Sequence, residues 1–227
     1  MDTNPLDPAT PFEVVMAALQ KAERQFSVTI ANAYQTRLEL TRADFFALGV
    51  ARRATAMSAG FRAMVDQRNA LCALPIVRMQ LDTALRLYAG FFVPDHRVFC
   101  RRVMAGDRID KMKSDTGQKM TDRYLCERVS QKNPWMNAVY ELTSGYVHLS
   151  GKHIGQAFDQ TDDDGLQLII GSMDRREPKH FHEPARCMVH LAWIIDCALK
   201  DWLNRMCGDD ESIGAFKSPP IVRKNQP

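Results

Sequence analysis

A chain of 227 residues with 45% hydrophobic and 25% charged residues has ordinary globular composition, which excludes disordered and fibrous classes. Its net charge of +3, from 30 basic and 27 acidic residues interspersed without a dominant basic run, neither demands nor excludes a nucleic-acid partner. No window approaches the roughly 18 uninterrupted apolar residues of a membrane helix, and the acidic start MDTNPLDPATPFE lacks a signal region, so a soluble, cytoplasmic protein with no membrane partner is expected.

Residues 1–9, with two prolines, are expected as a flexible arm. Thr10-Pro11-Phe12-Glu13 then reads as a helix start, with Thr as cap, Pro at the first helical position and Glu three residues after the cap. Apolar spacing of three and four continues that helix to about Thr36. A second helix starts at Thr41, with Asp44 three residues on, and tolerates Gly49 and Gly60. The third, NALCALPIVRMQLDTALRLYAGFF, contains Pro75, which either kinks it or marks its true first turn.

After Pro94-Asp95 a shorter helix ends at Gly106, and DRIDKMKSDTGQK reads as a mobile connection. MTDRYLCERVSQ forms another helix. Asn133-Pro134 opens a helix that carries YELTSGYVHLSGKH and ends at Gly151. Two short runs around Asp-Gly then predict a small β-hairpin, at about 153–172. From Glu183 to Met206 the apolar stripe is again helical, and residues 208–227, with three prolines, are expected as a flexible tail. The fold class that follows is mainly α: five to seven helices in one domain spanning 10–207, with the hairpin before the C-terminal helix.

Six cysteines without a C-x-x-C pair read as neither a disulfide nor a zinc framework, and most of them as small buried apolar residues. His148, His153, His180, His182 and Glu183 form no metal motif, and no metal or cofactor is expected.

The polar residues worth attention fall on two helices. Arg78, Asp82 and Arg86 recur at strict fours on the third, and Tyr140, Ser144 and His148 recur at fours on the sixth. If the two helices pack, a charged pair faces a Tyr/Ser/His row, and burial forces each group to find a partner. Such rows more often fix helix register than do chemistry.

The combination of Arg78-x-x-x-Asp82 with Tyr140-x-x-x-Ser144-x-x-x-His148 resembles uncharacterised bacterial helical proteins of the HEPN-like kind, over about residues 60–160. The resemblance implies an all-helical bundle, often dimeric, found in toxin and antiphage-defence contexts, whose active members are metal-independent endoribonucleases. Those enzymes carry Arg, then four to six residues, then His. The histidine matches His148, but Glu141, Leu142 and Thr143 stand where the arginine would be. A guanidinium is the natural stabiliser of a phosphorane-like transition state, so nuclease action would need Arg78 or Arg86 supplied from the other helix. Arg175 to His180 and Arg176 to His182 match the spacing literally, yet Pro178 and Pro184 break regular helix there and the matches read as chance.

The expectation is a non-catalytic or regulatory module with a second copy or another protein as partner. The alternative is an endoribonuclease acting on RNA through His148 and Arg78.

Overall fold

The computed structural model describes residues 4–35, 39–146, 150–160, 165–171, 178–207 and 214–215. It is mainly helical. Among the described residues the α-helices are α1 (Phe12–Ala33), α2 (Arg42–Asp66), α3 (Ala70–Phe91), α4 (His96–Met104), α5 (Asp122–Ser130), α6 (Trp135–Ser144), α7 (Gly151–Gln156) and α8 (His182–Arg205). Two antiparallel strand pairs complete them: β2 (Phe158–Gln160) with β3 (Leu166–Leu168), Phe158 opposite Leu168, and β1 (Glu39–Leu40) with β4 (Gly214–Ala215). The turn of the expected hairpin, 161–164, lies outside the described residues.

The heart of the bundle is α1, α2, α3 and α8, with α2 packed along α3 and α1 along α8. Their apolar stripes meet in one core that runs from Val15 to Leu203. Phe26, Phe61, Leu81, Leu85 and Trp202 are fully buried there, each worth roughly 1.5–3 kcal/mol against exposure. Trp202 also donates its indole N–H to the Ala43 carbonyl at 3.0 Å, which satisfies the one polar atom of a buried ring. A Cβ on Gly90 would sit 2.4 Å from the Trp202 ring, so α3 approaches α8 closely only because that residue has no side chain.

Start signals held where the side chains were free to cap. Thr41 and Asp44 form a reciprocal capping box on α2, and Asn69 caps α3 by accepting from the Cys72 amide. Burial pushes the Asp44 carboxyl up, but bonds from the Thr41 hydroxyl and amide and from the Tyr34 hydroxyl outweigh it and hold the group below the usual carboxylate range. Pro75 lies inside α3, which already begins at Ala70.

Three expectations need correction. Thr10 does not cap α1; Pro11 occupies that position without a side-chain bond. The Thr10 hydroxyl donates to the Asn4 carbonyl at 2.7 Å, and the Thr10 carbonyl pairs with His182 Nε2 at 2.7 Å. Residues 4–10 thereby lie against α8, where Arg186 Nε donates to the Leu6 carbonyl at 3.0 Å.

The connection expected to be mobile is pinned. Arg128 of α5 makes a two-pronged ion pair with Asp115, at 2.5 and 2.8 Å, and lies 4.0 Å over the Phe92 ring. Met112 within this connection and Met120 directly after it are buried.

Finally, the helix carrying Tyr140 stops at Ser144, not Gly151. Thr143 and Ser144 turn their hydroxyls back onto the carbonyls of Val139 and Tyr140, each at 2.6 Å, and Gly145 follows as the cap. Hydroxyls bonded to the preceding turn weaken a helix, and two in succession before glycine mark its end.

Candidate functional site

The third helix presents its polar stripe to α5 and α6. Asp82 and Arg86 pair along the helix, Arg86 Nε to Asp82 Oδ1 at 3.0 Å. Arg53 of α2 reaches Asp82 at 3.4 Å and donates to the Thr83 hydroxyl at 2.9 Å. On the other side both arginines converge on Asp122: Arg78 Nη2 at 3.0 Å from one carboxylate oxygen, Arg86 bonded to the other. The Arg78 guanidinium carbon lies over the Tyr140 ring, 4.6 Å from its centroid. The result is a continuous seam, Arg53–Asp82–Arg86–Asp122–Arg78–Tyr140, that ties α2, α3, α5 and α6 together.

Arg78 is only 8% exposed, and its Nη1 is buried without a hydrogen-bond partner. An ion with no neighbour would not tolerate such burial. Here the aromatic face and the shared carboxylate hold it, with cation–π attraction replacing part of the lost hydration.

Asp122 is the residue that the sequence reading missed. It is the first residue of α5, directly after the cap Thr121, whose hydroxyl accepts from the Tyr124 amide at 3.3 Å. An acidic group at that position also suits the positive end of the helix dipole. The only sequence signal was Thr-Asp at a helix start, which marks a boundary and names no partner 36 or 44 residues away.

The remaining candidates are dispersed. Ser144 is exposed and spends its hydroxyl on its own helix. His148 lies outside the described residues, as do Arg175 and Arg176 and the side chain of His153. His180 is exposed in a short 3-10 turn (Pro178–Phe181), and His182 is occupied with the Thr10 carbonyl. No cluster of three metal-ligating side chains occurs among the described residues. No described helix is long and apolar enough to cross a membrane.

A second feature lies on the next face of the same helices. Leu74 and Val77 of α3, Val139 and Leu142 of α6, and Cys187 and His190 of α8 border a cleft of about 510 Å³. Trp135 stacks on His190 with centroids 4.0 Å apart and planes at 17°. Burial holds the His190 imidazole below its ordinary pKa, and it raises the Cys187 thiol to about 11. At neutral pH the first is an uncharged donor and acceptor, and the second an unreactive thiol.

Comparison with protein-family models, with curated proteins and with solved structures finds no match to this chain.

Proposed function

We propose that the chain is a non-catalytic, HEPN-like bacterial interaction module, working through a second copy or a protein partner, in which the seam is a structural device. One observation carries this reading: the guanidinium of Arg78 is sealed between the Tyr140 ring and Asp122. Endonuclease chemistry at His148 would need a cation aimed at a phosphate. Arg78 is buried, and Arg86 is shared between Asp82 and Asp122, so each already has its counter-charge. Freeing either would break a partly buried pair before any substrate bound, at a cost of a few kcal/mol.

The test is direct. Labelled single-stranded RNA incubated in chelator with the wild-type chain and with His148→Ala is expected to remain intact in both. Cleavage by the wild type that disappears in His148→Ala, with the unfolding midpoint unchanged, overturns the reading in favour of the endoribonuclease.

A further inference from the structure

The cleft between α3, α6 and α8 has a size and lining that the seam does not explain. At about 510 Å³ it falls within the range of small-molecule sites, which combine an apolar lining with a few convergent polar groups. The charges at its border are already committed: Arg186 donates to the Leu6 carbonyl at 3.0 Å and pairs with Glu183 at 3.5 Å. The Thr143 hydroxyl donates to Val139. His190 differs, since neither of its ring nitrogens has a hydrogen-bond partner among the described residues, and one ring face is taken up by Trp135.

We propose that this cleft binds a neutral, largely apolar small molecule of drug-like size with one hydrogen-bonding group, which pairs with a ring nitrogen of His190. Neutrality follows from the ion pairing at the border, because a charged ligand would lose its hydration without meeting a free counter-ion. The apolar class follows from Leu74, Val77, Val139 and Leu142, whose cleft-facing surface is the main source of affinity. The polar group follows from His190, whose ring nitrogens have no hydrogen-bond partner among the described residues. The proposal is independent of whether the seam is structural.

The probe is N-phenyl-1-naphthylamine, neutral, aromatic and carrying one N–H. Titrated into the full chain, it is expected to gain emission saturably, with one site per chain and a dissociation constant on the order of micromolar. Ala138 lines the cleft and is exposed on α6, so Ala138→Trp fills the space from the solvent side. That variant should bind at least about tenfold more weakly with its unfolding midpoint unchanged. His190→Phe keeps a flat ring against Trp135 but removes the polar atoms, and should weaken binding about fivefold. The anionic relative 1-anilinonaphthalene-8-sulfonate should bind more weakly than the neutral probe. Uptake that does not saturate, undiminished affinity in Ala138→Trp, or stronger binding of the anion would each overturn the proposal. So would loss of probe binding on self-association at rising protein concentration, which would assign the cleft to a second copy.

Discussion

Neighbouring residues of α3 and α6 belong to opposite environments. Val77 borders the cleft and Arg78 lies in the seam; Val139 borders the cleft and Tyr140 lies in the seam. On a helix of 3.6 residues per turn, Leu74, Arg78, Asp82 and Arg86 follow one row at fours, and Val77 lies to the side of that row away from Asp82 and Arg86. The two faces use different physics. In the seam each charge is fixed by a named partner, so removal of one strands another. Around the cleft, the exposed positions Ala138 and Leu142 have no such mutual obligation and can change with little cost to the fold, whereas Val77 and Val139 belong to the core. Specific pairing locates stability, and its absence locates room for a ligand.

The sharpest way to break this contrast is Arg78→Ala. It removes one of the two arginines from Asp122 and the cation from Tyr140, and a loss of roughly 2 kcal/mol in urea denaturation is expected. A loss under about 1 kcal/mol would place the seam with ordinary surface pairs.

Tyr140 separates ring from hydroxyl. Tyr140→Leu should cost about 1 kcal/mol by removing the face under Arg78, whereas Tyr140→Phe should cost less than about 0.5 kcal/mol. Equal losses in the two denaturation curves would mean that the hydroxyl, not the ring, matters.

His190 probes the cleft by pH. Burial lowers its folded pKa below the unfolded value near 6.5, so between those two values the unfolded chain holds more protons. Its contribution to stability is present above the unfolded pKa and is lost as pH falls through that window, levelling off below the folded pKa. The stability difference between wild type and His190→Phe, followed from pH 8 to pH 5, should therefore shift against the wild type on acidification. A flat difference would remove the desolvation argument.

The smallest effect is expected at Ser144→Ala, within about 0.5 kcal/mol, because its hydroxyl serves only its own carbonyl on an exposed turn. A larger loss on thermal unfolding would bring Ser144 back into the network.

Much of the helical order was legible because it depends on local signals. Thr41 with Asp44, Asn69 before α3 and the stripe of α8 are short-range patterns. The i, i+4 spacing of Arg78, Asp82 and Arg86 also displays the α3 face directly. What stayed hidden depends on distance. Asp122 meets Arg78 across 44 residues, and Arg128 meets Asp115 across 13, and neither pairing leaves a periodic trace. The end of α6 at Thr143-Ser144-Gly145 carried a signal, yet the regular recurrence of Tyr140, Ser144 and His148 reads as a continued helix. The cleft was invisible for another reason. Leu74, Val139 and Leu142 have the same helical spacing whether they meet a core or a cavity.

The central claim is that Arg78 and Asp122 act as one structural unit. The most direct measurement is a double-mutant cycle in chemical denaturation on Arg78→Ala, Asp122→Ala and the double variant. The seam predicts a coupling of about 1–2 kcal/mol, with the double variant losing less than the sum of the singles. Additive losses would show that the two residues stabilise the bundle separately, and would contradict the account.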